Sequence, residues 1–156
     1  MGERSEVADR EVTAPPSKPP QITIARWVEG QVFEAGVPGR PSLRVDGKSK
    51  AAPSPFDALM IAIGTCAAVD VVEIMGKRRT PVSSLEVETK VTRSDESPRC
   101  LKHVWLTFRM MGEGIDRPNA ERAIELSVNK YCSVRNSLNP GVPVEWKLEL
   151  NGDSGS

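Results

Sequence analysis

The sequence holds a single histidine, His103, and three cysteines, Cys66, Cys100 and Cys132, none of them in a CxxC pair. A structural zinc site needs several thiolate or imidazole ligands at short spacings, so no metal centre is expected. No GxGxxG or P-loop run occurs, which removes the usual phosphate cradles and any expectation of a nucleotide. There is no excess of either charge: lysines plus arginines equal acids at 21 each. Nothing in that balance, and no basic stripe, points to nucleic acid. No uninterrupted apolar run approaches the roughly 18 residues of a membrane span, because Asp70 breaks the longest one. The first 20 residues lack an apolar h-region, and Glu3, Glu6, Asp9 and Glu11 argue against a transit peptide. Cysteines in a chain without these signals fit a reducing, cytoplasmic setting better than a disulfide scaffold.

What is present is organised around one stretch, Pro53 to Pro81. Ser54 is a natural N-cap, Pro55 suits the first turn, and Asp57 stands three after Ser54 as in a capping box. Leu59, Met60, Ile61, Ile63, Ala67, Ala68 and Val69 leave almost no polar face, so protein should enclose this helix. Lys77, Arg78 and Arg79 are cations at the end the macrodipole favours, and Pro81 is the stop. A chain of 156 residues suffices for one domain, or for one that completes its core by dimerising.

Residues 1–20 are polar and proline-rich and are expected to be disordered, with residues 152–156 a loose tail and the folded domain at 21–151. Gln21 to Trp27, Gln31 to Glu34 and Leu43 to Asp46 read as strands, the first two as a hairpin turning at Glu29-Gly30. After the helix, Leu85, Val87, Thr89 and Val91 alternate with charged residues, as do Val104, Leu106, Phe108 and Met110. Asp116 can cap a second helix whose buried stripe is Ala120, Ala123, Ile124, Ser127, Val128 and Tyr131. Val134 to Leu138 forms a short helical piece, and Val144, Trp146, Leu148 and Leu150 a last strand. This order predicts an α+β fold of antiparallel strands with the helices on one side.

Cys66 follows Gly64-Thr65 in the middle of the long helix, and Cys132 ends the second one. Free cysteine is among the most buried residue types, so each is either an inert small hydrophobe or a reactive thiol. Peroxide reduction needs a thiolate, a cation to stabilise it and a second thiol to resolve the sulfenic acid. Arg40, Arg44 and Arg135 are the cations at hand, and Cys100, at a loop and strand edge that nothing helical singles out, is incidental.

The segments SPFDALMIAIGTCAAVDVVEIMGKRR and AIELSVNKYCSVRNSL resemble the OsmC/Ohr family of thiol-dependent peroxide reductases. The likeness runs from about Ile22 to Asn151, including the order of elements. It implies an OsmC-like fold, with strands wrapped around a long central helix in an intertwined homodimer. It also implies Cys66 as the peroxidatic and Cys132 as the resolving cysteine, an activating arginine from the loops before the helix (Arg40 first, then Arg44), and a supporting carboxylate. Organic or hydrogen peroxide would be the substrate and a dithiol such as dihydrolipoamide the reductant, with no metal or organic cofactor. Peroxidase relatives place glutamate directly after the proline that lies eleven residues before the reactive cysteine. Here Phe56 follows Pro55, and the carboxylate is Asp57, turned by roughly 100° on the helix. Asp57 therefore stands as a candidate for either the arginine clamp or the helix cap. After the second cysteine the relatives carry Pro-Tyr-Ser-Asn, of which only Asn136 is matched. The alternative reading is a small-molecule binding protein that keeps the fold and has lost efficient peroxide chemistry.

Overall fold

The computed structural model describes residues 18–155, so the expectation for residues 1–20 falls almost entirely outside them. Three strands come first: β1 (Ile24–Glu29), β2 (Val32–Gly36) and β3 (Leu43–Asp46). They form an antiparallel sheet in chain order. The chain then enters α1 (Pro55–Lys77), β4 (Ser84–Arg93), β5 (Leu101–Met111) and α2 (Arg117–Leu126). A π-helical turn (Ser127–Tyr131), the short α3 (Ser133–Asn136) and β6 (Val144–Leu150) complete it.

The second sheet has the order β4-β5-β6. β4 and β5 pair antiparallel, but β6 runs parallel to β5, against the expected antiparallel arrangement. The reason is the crossover. α2, the π-turn and α3 carry the chain back to the end of the sheet where β5 began, and a parallel neighbour needs a connection of that length. One face of this sheet is dry, with Val104, Leu106, Phe108 and Met110 of β5 buried, and Leu148 and Leu150 of β6 beside them. On the wet face Arg109 bonds Glu86 at 2.6 Å, Glu88 at 3.1 Å and Glu149 at 3.1 Å, tying all three strands together.

α1 lays the row Ile63, Ala67, Val71 and Met75 into the core, four residues apart and therefore on one side of the helix. Burying Ile63 or Val71 contributes about 1.5–3 kcal/mol each. The capping box is present in full: Asp57 N–H donates to Ser54 Oγ at 3.0 Å and Ser54 N–H to Asp57 Oδ2 at 2.9 Å. The helix ends at Lys77, before Pro81, where Arg79 turns the chain with a φ of 61°. Upstream, the Asp46 carboxylate accepts the backbone N–H groups of Lys48, Lys50 and Ala51 at 2.9–3.0 Å, and so fixes the loop that delivers α1.

Two further expectations change. α1 is long and apolar enough, by length and composition, to cross a membrane, despite Asp70. Here one side packs against β4, α2, α3 and the π-turn, while Ile61, Val69 and Val72 on the other stay exposed, so a single chain does not enclose the helix as its apolar faces predicted. The segment after β6 is also pinned rather than loose. Leu150 N–H bonds the Asp153 carbonyl at 2.7 Å, and Arg117 Nη2 reaches the same oxygen at 2.8 Å.

Candidate functional site

Cys66 sits between the buried residues Ile63 and Ala67 and keeps part of its surface open. Cys132 is fully buried. The π-turn places it there. Cys132 N–H bonds back five residues to the Ser127 carbonyl at 2.8 Å, so one turn on from Ser127 the chain arrives at Cys132. Tyr131, expected in the buried stripe, is rotated outward and is half exposed.

Ser127 also joins the two helices. Its buried hydroxyl donates to the Ala67 carbonyl at 2.9 Å. The residue after Cys66 is thus linked to Cys132 through the side chain and then the backbone of Ser127. This bridge spans 60 residues of sequence and has no local signature. Asp70, one turn beyond Cys66, lies with Oδ2 3.5 Å from the same hydroxyl. Burial holds the Asp70 carboxyl above the usual carboxylate range; the Ser127 hydrogen bond opposes this and Glu73 adds to it.

Both cysteines are free, and Cys66 lies near enough to Cys132 to help raise its pKa. Cys132 is pushed up to about 11, mainly by burial. The Arg135 N–H, which donates to Cys132 Sγ at 3.4 Å, pulls the other way, while Cys66 and Asp70 add to the rise. At neutral pH Cys132 is therefore held as the neutral thiol. Burial and protonation make it a poor first nucleophile, and the accessible thiol of the pair is Cys66.

The other nominated residues lie elsewhere. Arg40 is exposed on the β2–β3 loop, where it lines a groove with residues of the first sheet and not with Cys66. Arg44 is taken by Glu34 at 2.7 Å. Asp57 serves the cap, held below the usual carboxylate range first by the Ser54 backbone and side chain. The residue before it, Phe56, carries the Arg93 guanidinium 3.7 Å from its ring centroid, a stacking the strand pattern did not signal. Arg135 Nε is enclosed without an acceptor, the one such side-chain atom among the described residues. Cys100 is exposed in the loop before β5. Among the described residues no three His, Cys, Asp or Glu side chains are placed to hold a metal ion.

A groove of about 480 Å³ runs along α1 beside β4, lined by Met60, Ile61, Thr65, Ala68, Leu85 and Val87 among others. Gly64 allows this close approach, since a Cβ there would stand 2.6 Å from Thr89 Oγ1.

A long central helix bearing Cys66, packed on a mixed sheet and on a second helix that leads through a π-turn to Cys132, makes this an α+β protein built around one helix. The chain belongs to the OsmC-like protein family, whose sequence model matches residues 46–147. It is 36% identical over 126 residues to Protein YhfA of Escherichia coli (strain K12), covering 80% of this chain and 94% of that one. The OsmC-like protein of Mycoplasma pneumoniae shares the fold at a TM-score of 0.73 and 14% identity, covering 85% of this chain and 97% of the other. The organic hydroperoxide resistance protein OhrB of Bacillus subtilis does so at 0.55 and 15%, covering 83% and 98%.

Proposed function

We propose that this chain is a thiol-dependent peroxidase working through Cys66 and Cys132. The observation that carries the reading is the pairing of a partly open thiol with a buried one kept protonated. The Cys66 thiolate attacks the distal peroxide oxygen. The O–O bond breaks, the leaving oxygen takes a proton and departs as alcohol or water, and Cys66 is left as a sulfenic acid. Cys132 then attacks that sulfur, loses its own proton, and forms a disulfide as the hydroxyl leaves as water. An external dithiol, of lipoyl type in this reading, reduces the disulfide and is itself oxidised.

The working form is a homodimer. Ile61, Val69 and Val72 of α1 and Ile22, Ile24, Trp27 and Leu43 around the first sheet expose apolar surface that a second copy would cover. Arg40 rides on that sheet and would reach the thiol pair of the other chain. The setting is a reducing compartment, the cytoplasm, where the free thiols persist.

A second reading, a weakly catalytic binding protein, draws on one observation. Phe56 stands where peroxidase relatives have glutamate, and it stacks on Arg93 instead of clamping an arginine near the thiols.

One experiment separates the two. Reduced protein is treated with one equivalent of cumene hydroperoxide or hydrogen peroxide, and thiols are counted and peptides mapped in wild type, Cys66→Ser and Cys132→Ser. The peroxidase gives rapid loss of two thiols with a Cys66–Cys132 link, and a trapped sulfenic acid at Cys66 in Cys132→Ser. Thiols reacting no faster than free cysteine overturn it in favour of the binding protein.

A further inference from the structure

The proposed chemistry leaves one partly buried acid beside the Ser127 bridge unused. Asp70 is a half-buried carboxyl on α1, and no described residue forms an ion pair with it. Its surroundings name its possible partners. On its own helix are Cys66 one turn before, Glu73 one turn after, and Lys77 and Arg78 at the end of the same groove. From the π-turn and beyond come Ser127, Tyr131 and Cys132, and from α2 only the apolar Leu126. From α3 comes Arg135, whose backbone N–H donates to Cys132 Sγ at 3.4 Å and whose Nη1 donates to Asn136 at 3.4 Å. The other cations are committed as well, Lys77 to Glu73 at 2.6 Å and Arg78 to Asn119 at 2.6 Å.

The hydrogen bonds then favour a particular protonation state. Ser127 has one hydroxyl proton, and the shorter contact, 2.9 Å, commits it to the Ala67 carbonyl. What Ser127 Oγ presents to Asp70 Oδ2, 3.5 Å away, is a lone pair. A protonated Asp70 can donate to it and complete a chain from carboxyl to hydroxyl to carbonyl. An ionised Asp70 faces that lone pair, or draws the proton off Ala67 and weakens the bridge that places Cys132. Its charge is also set, through Ser127, against a thiol that must itself become anionic in order to attack: Ser127 Oγ is 3.5 Å from Asp70 and the Ser127 carbonyl accepts the Cys132 N–H at 2.8 Å.

We propose that Asp70 is a positioning residue of the thiol pair: its charge state governs the Ser127 bridge and how readily Cys132 becomes a thiolate, and so sets the pH at which the disulfide closes. The statement about closure rests on the peroxidase reading; the statement about the Cys132 thiolate does not. The electrostatic sign is plain. A carboxylate beside Cys132 opposes a second negative charge, so removing it moves Cys132 ionisation to lower pH. The raised carboxyl of Asp70 agrees with its want of a cation.

The test uses the full chain without peroxide. Thiolate absorbance is titrated in Cys66→Ser/Cys100→Ser, with Asp70 intact or with Asp70→Asn. Asp70→Asn should lower the Cys132 midpoint by about half a unit or more, a factor of about three in thiolate at a given pH. Asp70→Glu should restore most of the original midpoint. A Cys132 midpoint unmoved by Asp70→Asn, in protein of native near-ultraviolet dichroism, overturns the proposal. As a check needing no variant, the carbon resonances of Asp70 and Cys132 are followed with pH in the reduced wild-type protein. The Cys132 signal should respond as Asp70 titrates, and a flat response overturns the proposal. In wild type and Asp70→Asn treated with cumene hydroperoxide, the pH profile of closure should shift with the thiolate. A shifted thiolate midpoint with no peroxide reactivity would sustain Asp70's role and remove the peroxidase.

Discussion

At the scale of single residues, the thiol pair and the capping box are legible because each has a local or motif-level signature: two cysteine contexts in one case, Ser54-x-x-Asp57 in the other. Ser127 and Asp70 are not legible in the same way. Their contact joins positions 57 residues apart and depends on a π-turn that no residue in Ser127–Tyr131 announces. Arg93 on Phe56 is similarly a product of tertiary placement. Ser127→Ala should cost about 1 kcal/mol by losing one buried hydrogen bond, read by urea unfolding, and should slow disulfide closure more than the first oxidation of Cys66. The acids make opposite contributions with pH. Asp46 and Asp57 have folded values below their ordinary ones, so the stability they give is present above the ordinary value and is lost as pH falls through the folded one. Asp46→Asn should therefore flatten the acid side of the stability curve. Asp70 has the reverse sign: its folded value is raised, so stability falls as pH rises from the ordinary carboxylate value through the folded one. Asp70→Asn should remove that decline, seen as a melting temperature that gains on wild type between acid and neutral pH.

Among the elements, those with a strong period or a cap were readable close to their true bounds. The strands expected around 85–91 and 102–110 are β4 (84–93) and β5 (101–111), and their apolar positions face the core. The first strand is displaced, from an expected 21–27 to 24–29, because both faces of β1 are exposed and alternation there carries no burial signal. The direction of β6 was not readable, since a strand's own pattern is the same for parallel and antiparallel neighbours. Two substitutions test the central helix. Ser54→Ala should destabilise by about 1 kcal/mol through the lost cap, measured by denaturant titration. Gly64→Val should cost about 1–3 kcal/mol or more by forcing α1 away from Thr89 on β4, and should disturb the thiol pair along with the groove.

For the molecule as a whole, the family and the fold are shared over most of the chain, and a single chain leaves apolar faces exposed. Val69 is 64% exposed and Trp27 66%, on two elements that do not cover each other. Ile61→Glu with Val69→Glu should halve the mass seen by sedimentation, and peroxide reactivity should fall with it if Arg40 is delivered from the other chain. Neither change touches the thiols, and a wild-type mass already that of one chain would overturn the homodimer while leaving the pair intact.

The first sheet meets the rest of the chain mainly where β3 approaches α1. Its hydrogen bonds thus belong to a ladder with water on both sides of β1, whereas those of β5 lie between two neighbours over a dry core. In deuterated solvent the two sheets should keep different clocks. Amides of β5 should exchange only with global unfolding, and those of β1 and β2 within the time of local fraying when the protein is dilute. If a second chain lies over the first sheet, raising the protein concentration should slow that faster clock and leave the slower one nearly unchanged.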